Sequence, residues 1–295
     1  MTRMNRDPDP HRTELLELVR SSRRLLALTG AGCSTESGIP DYRDESGDWK
    51  RSQPIQFREF RGDGRARQRY WARSLVGWPV VAAARPNAAH RALVRLEMQG
   101  RINHVITQNV DGLHQRAGSR GVTDLHGRLD EVVCLDCGAR LSRTELQAEL
   151  EALNPHMTTR NAARAPDGDA DLLDVNYARF QVPDCGHCGG ILKPAVVFFG
   201  ESVPRTRIDD AVARLQESDA LIVVGSSLMV WSGYRFARLA RERGLPIAIV
   251  NLGRTRADEL ASVRVRASCG EVLASLADHL CERDVEGSCD GVTRR

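Results

Sequence analysis

Four short strand-like runs in this chain, three of them continuously apolar, each stop at a cluster of glycine and small polar residues, and that repeated pattern narrows the possible folds most. Leu25-Leu26-Ala27-Leu28 ends in Thr29-Gly30-Ala31-Gly32, and Ile102 to Thr107 ends in Gln108-Asn109-Val110-Asp111. Ala220 to Val224 ends in Gly225-Ser226-Ser227, and Ile247 to Val250 ends in Asn251-Leu252-Gly253. A continuous apolar run of this length reads as a strand buried on both faces. Amphipathic helical patterns lie between the runs, at roughly 12–22, 87–99, 205–217, 232–243 and 270–282. Strands alternating with helices predict a Rossmann-like α/β fold, a parallel sheet with helices on both faces. Ligands of such sheets bind beyond the carboxyl ends of the strands. All four polar clusters fall there, so the pattern predicts one crevice lined by them.

Composition sets the outer limits. The chain has 295 residues, 41% hydrophobic and 27% charged, which excludes a collagen, a wholly disordered chain and a small disulfide scaffold. A net charge of +3 is too small to argue for nucleic acid, and no nucleic-acid partner is expected. No run of about eighteen apolar residues exists, so no membrane partner is expected. The first residues lack an apolar signal region, and the expected location is a reducing cytoplasm. Residues 1–10 read as a loose leader, 11–129 and 191–283 as the Rossmann-like catalytic domain, 130–190 as a small inserted module, and 284–295 as a disordered tail.

The insert carries the sharpest local signal. Cys134-Leu135-Asp136-Cys137 and Cys185-Gly186-His187-Cys188 are two C-x-x-C knuckles. Two knuckles place four thiolates around a tetrahedral zinc ion and leave no open position for water, so the ion would hold structure. The 47 residues between Cys137 and Cys185 exceed the roughly 15–20 common in zinc ribbons, so the insert must loop out. Two redox pairs or two disulfides are the alternative. Cys33, Cys269, Cys281 and Cys289 remain; Cys33 reads as a small residue packed near a ligand.

Gly30-Ala31-Gly32 follows a strand and precedes Ser34-Thr35-Glu36-Ser37-Gly38, a turn that lets backbone approach a pyrophosphate. The spacing departs from G-x-G-x-x-G and lacks the later acidic residue, so a ligand-free turn stays open and a hydride-transfer dehydrogenase fits poorly. His126 follows the short strand Val122 to Leu125 and could titrate near neutrality, although a structural histidine would look the same. Asn109 and Asp111 alternate about Val110 and point to one side, toward a polar ligand or a helix cap.

Together these residues resemble the sirtuins, a family of NAD-dependent protein lysine deacylases. The resemblance spans about 12–282. It rests on GAGCSTESGIPDYR at 30–43, TQNVDGLH at 107–114, LHG at 125–127, the cysteine pairs, VVFFGE at 196–201, GSSL at 225–228 and VNLG at 250–253. RYWARSLVGWP at 69–79, SGYRF at 232–236 and the APDGD insert resemble the class II branch, which includes the mitochondrial sirtuin 4. The resemblance implies that Gly30, Ala31, Gly32, Ser34 and Thr35 receive the phosphates of NAD, and that Asp41, Tyr42 and Arg43 lie in a loop closing over it. Gln108, Asn109 and Asp111 would hold the nicotinamide ribose and carboxamide. Gly225, Ser226, Ser227, Asn251, Leu252, Gly253 and Cys269 would line the adenosine side. His126 would be the general base, with Asn109 and Asp111 completing the catalytic set, and the products would be free lysine, nicotinamide and O-acyl-ADP-ribose.

Val197, Phe198, Phe199, Gly200 and Glu201 would hold an acylated-lysine substrate protein as an added strand. Tyr70 and Arg73 resemble a pair that reads acidic acyl groups in another branch; helix-surface residues are the alternative. Two departures stand out: Cys33 replaces the family's usual Ala or Ile, and Ser232 replaces a proline after GSSL. Protein mono-ADP-ribosyl transfer is the alternative activity, a non-catalytic NAD sensor is a third reading, and a monomer is compatible with the sequence.

Overall fold

The computed structural model describes residues 10–50, 54–157, 163–164, 170–172 and 176–289; residues 1–9 of the leader, the APDGD insert and residues 290–295 lie outside them, and Pro10, expected in the leader, opens the first helix. The strands are β1 Leu25–Thr29, β2 Ile102–Thr107, β3 Val122–Asp124, β4 Gly127–Cys134, β5 Arg140–Ser142, β6 Ala163–Arg164, β7 Ala170–Asp171, β8 Leu192–Val196, β9 Ala220–Val224, β10 Ile247–Val250 and β11 Val263–Val265. The helices are α1 Pro10–Ser21, α2 Phe57–Gly62, α3 Gly64–Ala83, α4 Ala88–Met98, α5 Leu113–Ala117, α6 Arg143–Leu153, α7 Arg205–Gln216, α8 Trp231–Glu242 and α9 Cys269–Cys289. No described helix is long and apolar enough to cross a membrane.

Six strands form one sheet in the order β11-β10-β9-β1-β2-β3, with every pairing parallel. β1, β9 and β10 are buried along their whole length, which is why their sequences run apolar without alternation. One face packs on α1, α4 and α9 through Leu15, Leu93 and Leu273; the other packs on α7 and α8 through Leu215 and Phe236. The chain leaves β1 toward β2 on one side and takes up β9 on the other. The strand order therefore reverses between β1 and β9, where a crevice must open at the carboxyl ends.

A second layer is built differently from the expectation. β4 pairs antiparallel with both β5 and β8, so the small sheet begins at Gly127 and closes at Val196, beyond the expected 130–190. Its core also takes in α2 and α3, which were expected in the large domain. Phe60, Trp71, Leu75 and Trp78 share one apolar cluster with Val132, Leu146, Leu150 and Leu192. Trp71 and Phe60, each at 0% exposure, are covered by this shared core. At the other end α9 runs on to Cys289, so helix continues through 284–289, where a disordered tail was expected.

Candidate active site

The crevice exists, a cleft of about 700 Å³ over the carboxyl ends of the parallel strands. Its floor is set by glycine. Gly30 N–H donates to the Val224 carbonyl at 3.1 Å and Gly32 N–H to the Gly225 carbonyl at 2.8 Å, so the loops after β1 and β9 touch backbone to backbone. Gly225 has φ of +60°, and a Cβ there would lie 2.2 Å from the Cys33 nitrogen. Only glycine allows both. Ala31, Ser34 and Thr35 line the cleft above this contact, and Cys33 is buried beneath it.

Polar side chains lock the end of β2 to that loop. Asn109 Nδ2 donates to the Gly30 carbonyl and to Ser34 Oγ, each at 3.0 Å, and Ser34 Oγ donates to Asp111 Oδ2 at 2.7 Å. Burial pushes the Asp111 carboxyl above its ordinary value, while the Leu113 N–H, the Ser34 hydroxyl and Arg116 pull it back. Gln108 Nε2 donates to Ser226 Oγ at 2.7 Å, bridging β2 to β9. Gly233 leaves room for that amide, because a Cβ there would fall 2.3 Å from Gln108 Oε1. Asn251, Leu252, Gly253 and Cys269 line the far end, and Asn251 Nδ2 holds its own turn through the Gly253 carbonyl at 2.9 Å.

The loop after Pro40 arches over the cleft and is braced largely by itself. Arg43 Nη1 donates to the Gly47 carbonyl at 2.7 Å, and its guanidinium stacks 4.0 Å from the centre of the Trp49 ring. Asp41 pairs with Lys50. Tyr42, Trp49 and Phe199 meet edge to face, which joins this loop to the segment after β8. Val197, Phe198, Phe199, Gly200 and Glu201 all line the cleft. Glu201, expected on the substrate, is spent on its own loop: it accepts from Lys193 Nζ at 3.0 Å and from the Phe198 N–H at 2.9 Å.

His126 stands at the centre. Its Nδ1 lies 2.9 Å from the Gln108 carbonyl, which only accepts, so Nδ1 carries the proton. Nε2 is left as an acceptor and takes the Ser232 hydroxyl at 2.7 Å. Burial lowers the imidazole to about 4, against a smaller upward pull from the Gln108 carbonyl. The ring is neutral at pH 7, with its basic nitrogen fixed in place, the state a general base needs. Ser232 was legible in the sequence as a departure but not as a partner of His126.

Tyr70 and Arg73 part company. Tyr70 lines the cleft within an apolar cluster that also holds Ile39, Leu129 and Phe198. Arg73, three residues on, is not among the lining residues; its Nε donates to the Ala170 carbonyl at 3.0 Å and ties α3 to β7. Of the pair expected to read an acidic acyl group, the structure brings Tyr70 to the cleft and holds Arg73 on the Ala170 carbonyl.

The four cysteines converge at the tip of the small sheet. Cys134 Sγ lies 3.6 Å from Cys188 Sγ and Cys137 Sγ 3.8 Å from Cys185 Sγ, and all four sulfurs fall within 4.8 Å of one another. Sulfurs at about 2.3 Å from a shared zinc ion stand near this spacing. Backbone N–H groups of Cys137 and Asp136 pull the Cys134 thiol down to about 7, whereas the crowding Cys137 and Cys134 side chains push Cys188 up to about 12. The donor set thus fits a structural zinc ion, whose charge would relieve that crowding.

Comparison with known proteins agrees with this geometry. The Sir2 family model matches residues 30–232. The NAD-dependent protein deacetylase of Xanthomonas axonopodis pv. citri (strain 306) is 58% identical over 262 residues, 89% of each chain. The mitochondrial NAD-dependent protein lipoamidase sirtuin-4 of Bos taurus is 49% identical over 269 residues, 90% of this chain and 85% of that one. A Sir2 homologue solved as an NAD complex superimposes with a TM-score of 0.71 at 32% identity, covering 92% of this chain and 94% of the other. With the family model spanning more than half of it and its relatives matching most of their own length, the chain belongs to the Sir2, or sirtuin, family.

Proposed function

We propose that this protein is an NAD-dependent protein lysine deacylase in which His126 is the general base. When bound, NAD supplies a ribose carbon made electrophilic by the nicotinamide leaving group. Gly30, Ala31, Gly32, Ser34 and Thr35 offer a close backbone surface for its phosphates. Gln108, Asn109 and Asp111 hold the polar groups of the nicotinamide ribose and carboxamide, with Ser34 keeping Asp111 in place. Asn251, Leu252, Gly253 and Cys269 border the adenosine end. Asp41, Tyr42 and Arg43 sit in the loop that excludes water from above. The Nε2 atom of His126 accepts the proton of a substrate hydroxyl after Ser232 gives up its place there.

The observation that carries this reading is the fixed, neutral imidazole of His126, with Nδ1 held by the Gln108 carbonyl and Nε2 set as the acceptor that takes the Ser232 hydroxyl. Val197 to Glu201 present a segment to which a substrate peptide can add as a strand. The cluster around Tyr70 is apolar and Arg73 donates to the Ala170 carbonyl, which favours uncharged acyl chains. Ser232 in place of the family's proline and the 49% identity to bovine sirtuin-4 support placement in the class II branch.

The test is direct. The protein is incubated with NAD and a panel of acetyl-, longer acyl- and succinyl-lysine peptides, and nicotinamide and O-acyl-ADP-ribose are followed by mass spectrometry. Turnover of uncharged acyl peptides is expected. Transfer of ADP-ribose to protein without peptide deacylation would overturn the reading in favour of ADP-ribosyl transfer, and NAD binding without turnover would reduce the protein to a sensor.

A further inference from the structure

Beneath the glycine loop, three side chains meet that play no part in the site above. Cys33, His90 and His114 are 1%, 0% and 1% exposed, and the Cys33 sulfur and one ring nitrogen from each histidine fall within 4.8 Å of one another. The two imidazoles are tilted at 53° with their centres 4.8 Å apart.

Hydrogen bonding settles which ring atoms are engaged. Asn87 Nδ2 donates to the Cys33 carbonyl at 2.8 Å, so the oxygen end of that amide faces His90. His90 Nδ1 lies 2.9 Å from Asn87 Oδ1 and 3.4 Å from the Asn87 backbone nitrogen; the shorter contact is to an acceptor, so Nδ1 carries the proton. The Thr29 hydroxyl donates to Thr107 Oγ1 at 2.8 Å, which leaves its own lone pair to accept from His114 Nε2 at 2.9 Å. His90 Nε2 and His114 Nδ1 are thus bare lone pairs, and neither has a hydrogen-bond partner although both are fully buried. Buried polar atoms without partners are costly and rare. The Cys33 thiol has one proton and can satisfy at most one of them.

A cation would satisfy all three groups at once. Metal-bound histidines donate their other N–H to an oxygen that orients the ring, and Asn87 Oδ1 and Thr29 Oγ1 already fill that role. Burial keeps both rings neutral, lowering His90 to about 3 and His114 to about 4, and neutral imidazole is the ligating form. One thiolate with two imidazoles suits zinc, which such ligands bind at about 2.0–2.3 Å.

We propose that Cys33, His90 and His114 form a second zinc site in the core, distinct from the four-cysteine site. Binding forms one Zn–S and two Zn–N bonds and releases one proton, from the Cys33 thiol. Cys33 follows Gly32 and precedes Ser34, so occupancy of this site bears on the loop that lines the cleft.

The test is metal stoichiometry on the full chain. Zinc per chain is measured by plasma mass spectrometry after equilibration with micromolar zinc and desalting, for wild type, Cys33→Ala and Cys33→Ser. Two zinc ions in wild type and one in both variants are expected, with melting curves confirming that the variants are folded. In parallel, cobalt is titrated into the wild-type protein already loaded with one zinc. A thiolate-to-cobalt charge-transfer band that saturates at one further equivalent is expected, with one proton released per ion. A wild-type protein that holds one zinc and shows no such band, or a second ion retained unchanged in Cys33→Ala, would overturn the proposal; the cobalt titration decides even if neither variant folds.

Discussion

The hydroxyl of Ser232 donates at 2.7 Å to Nε2 of His126, the ring nitrogen that carries no proton. A proline at position 232 could not make that contact. The bond favours the neutral ring, so its removal raises the imidazole pKa. In Ser232→Ala the acidic limb of the pH profile of kcat/KM should move to higher pH, with the NAD dissociation constant changed by less than about threefold. His126→Ala should lower kcat by about 10²–10⁴ and leave NAD binding intact. Binding by calorimetry and turnover by mass spectrometry check both; an unmoved limb would show that the bond does not tune the base.

Acid should also act on stability through His126. Its folded value of about 4 lies below the ordinary 6.5, so between those values the unfolded chain binds more protons than the folded one. Stability therefore falls as pH drops from 6.5 toward 4. At pH 5.5 the loss from this one group is about 1 kcal/mol. Urea melts at pH 7.5 and 5.5 should show a smaller difference for His126→Gln than for wild type by about that amount.

Ser34 and Asn109 form a single device with Asp111. Ser34→Ala removes the hydroxyl that donates to the Asp111 carboxylate, a bond worth about 1.5–3 kcal/mol when the acceptor is charged. The expected result is a lower melting temperature together with NAD affinity reduced by about tenfold or more. Gly225→Ala should be more damaging, because its Cβ would meet the Cys33 backbone nitrogen at 2.2 Å. Loss of NAD binding in Gly225→Ala with unchanged affinity in Ser34→Ala would place the weight on the glycine contact alone.

Removal of the structural zinc should melt the small layer first. Cys134 and Cys185 are buried at its tip, and the strands they close, β4 and β8, carry Val132 and Leu192 into the core shared with α3. Cys185→Ser is expected to lose the four-cysteine zinc and to unfold that layer at a lower temperature than the parallel sheet. Hydrogen exchange should report faster exchange in 127–134 and 192–196 than in 220–224.

Arg73 offers a test of acyl choice. With its Nε on the Ala170 carbonyl, Arg73→Met should lower stability and leave the ratio of succinyl- to acetyl-lysine turnover unchanged. A selective loss of succinyl turnover would mean that Arg73 reaches the substrate.

Much of this molecule can be read locally. Strands buried on both faces must be continuously apolar, and backbone loops that touch must be glycine. Leu25–Thr29, Ala220–Val224 and the Gly30 and Gly225 turns therefore announce the parallel sheet and its crevice from residues near one another in the chain. Two C-x-x-C pairs announce a metal site for the same reason, since each pair needs only a tight turn. Other features depend on partners far away in sequence. Gly77 and Pro79 argue against a helix, yet α3 runs through both. Pro79 has no N–H to give the Leu75 carbonyl, and Gln147 Nε2, 72 residues on, supplies that bond at 3.0 Å. Arg143 likewise closes over Trp71 and Trp78 and donates to Ser74, fixing α3 in the small layer. That docking turns Tyr70 into the cleft and Arg73 out of it. Spacing along a helix sets which side chains share a face, but what the face meets is settled only when distant segments pack and satisfy each other's polar groups.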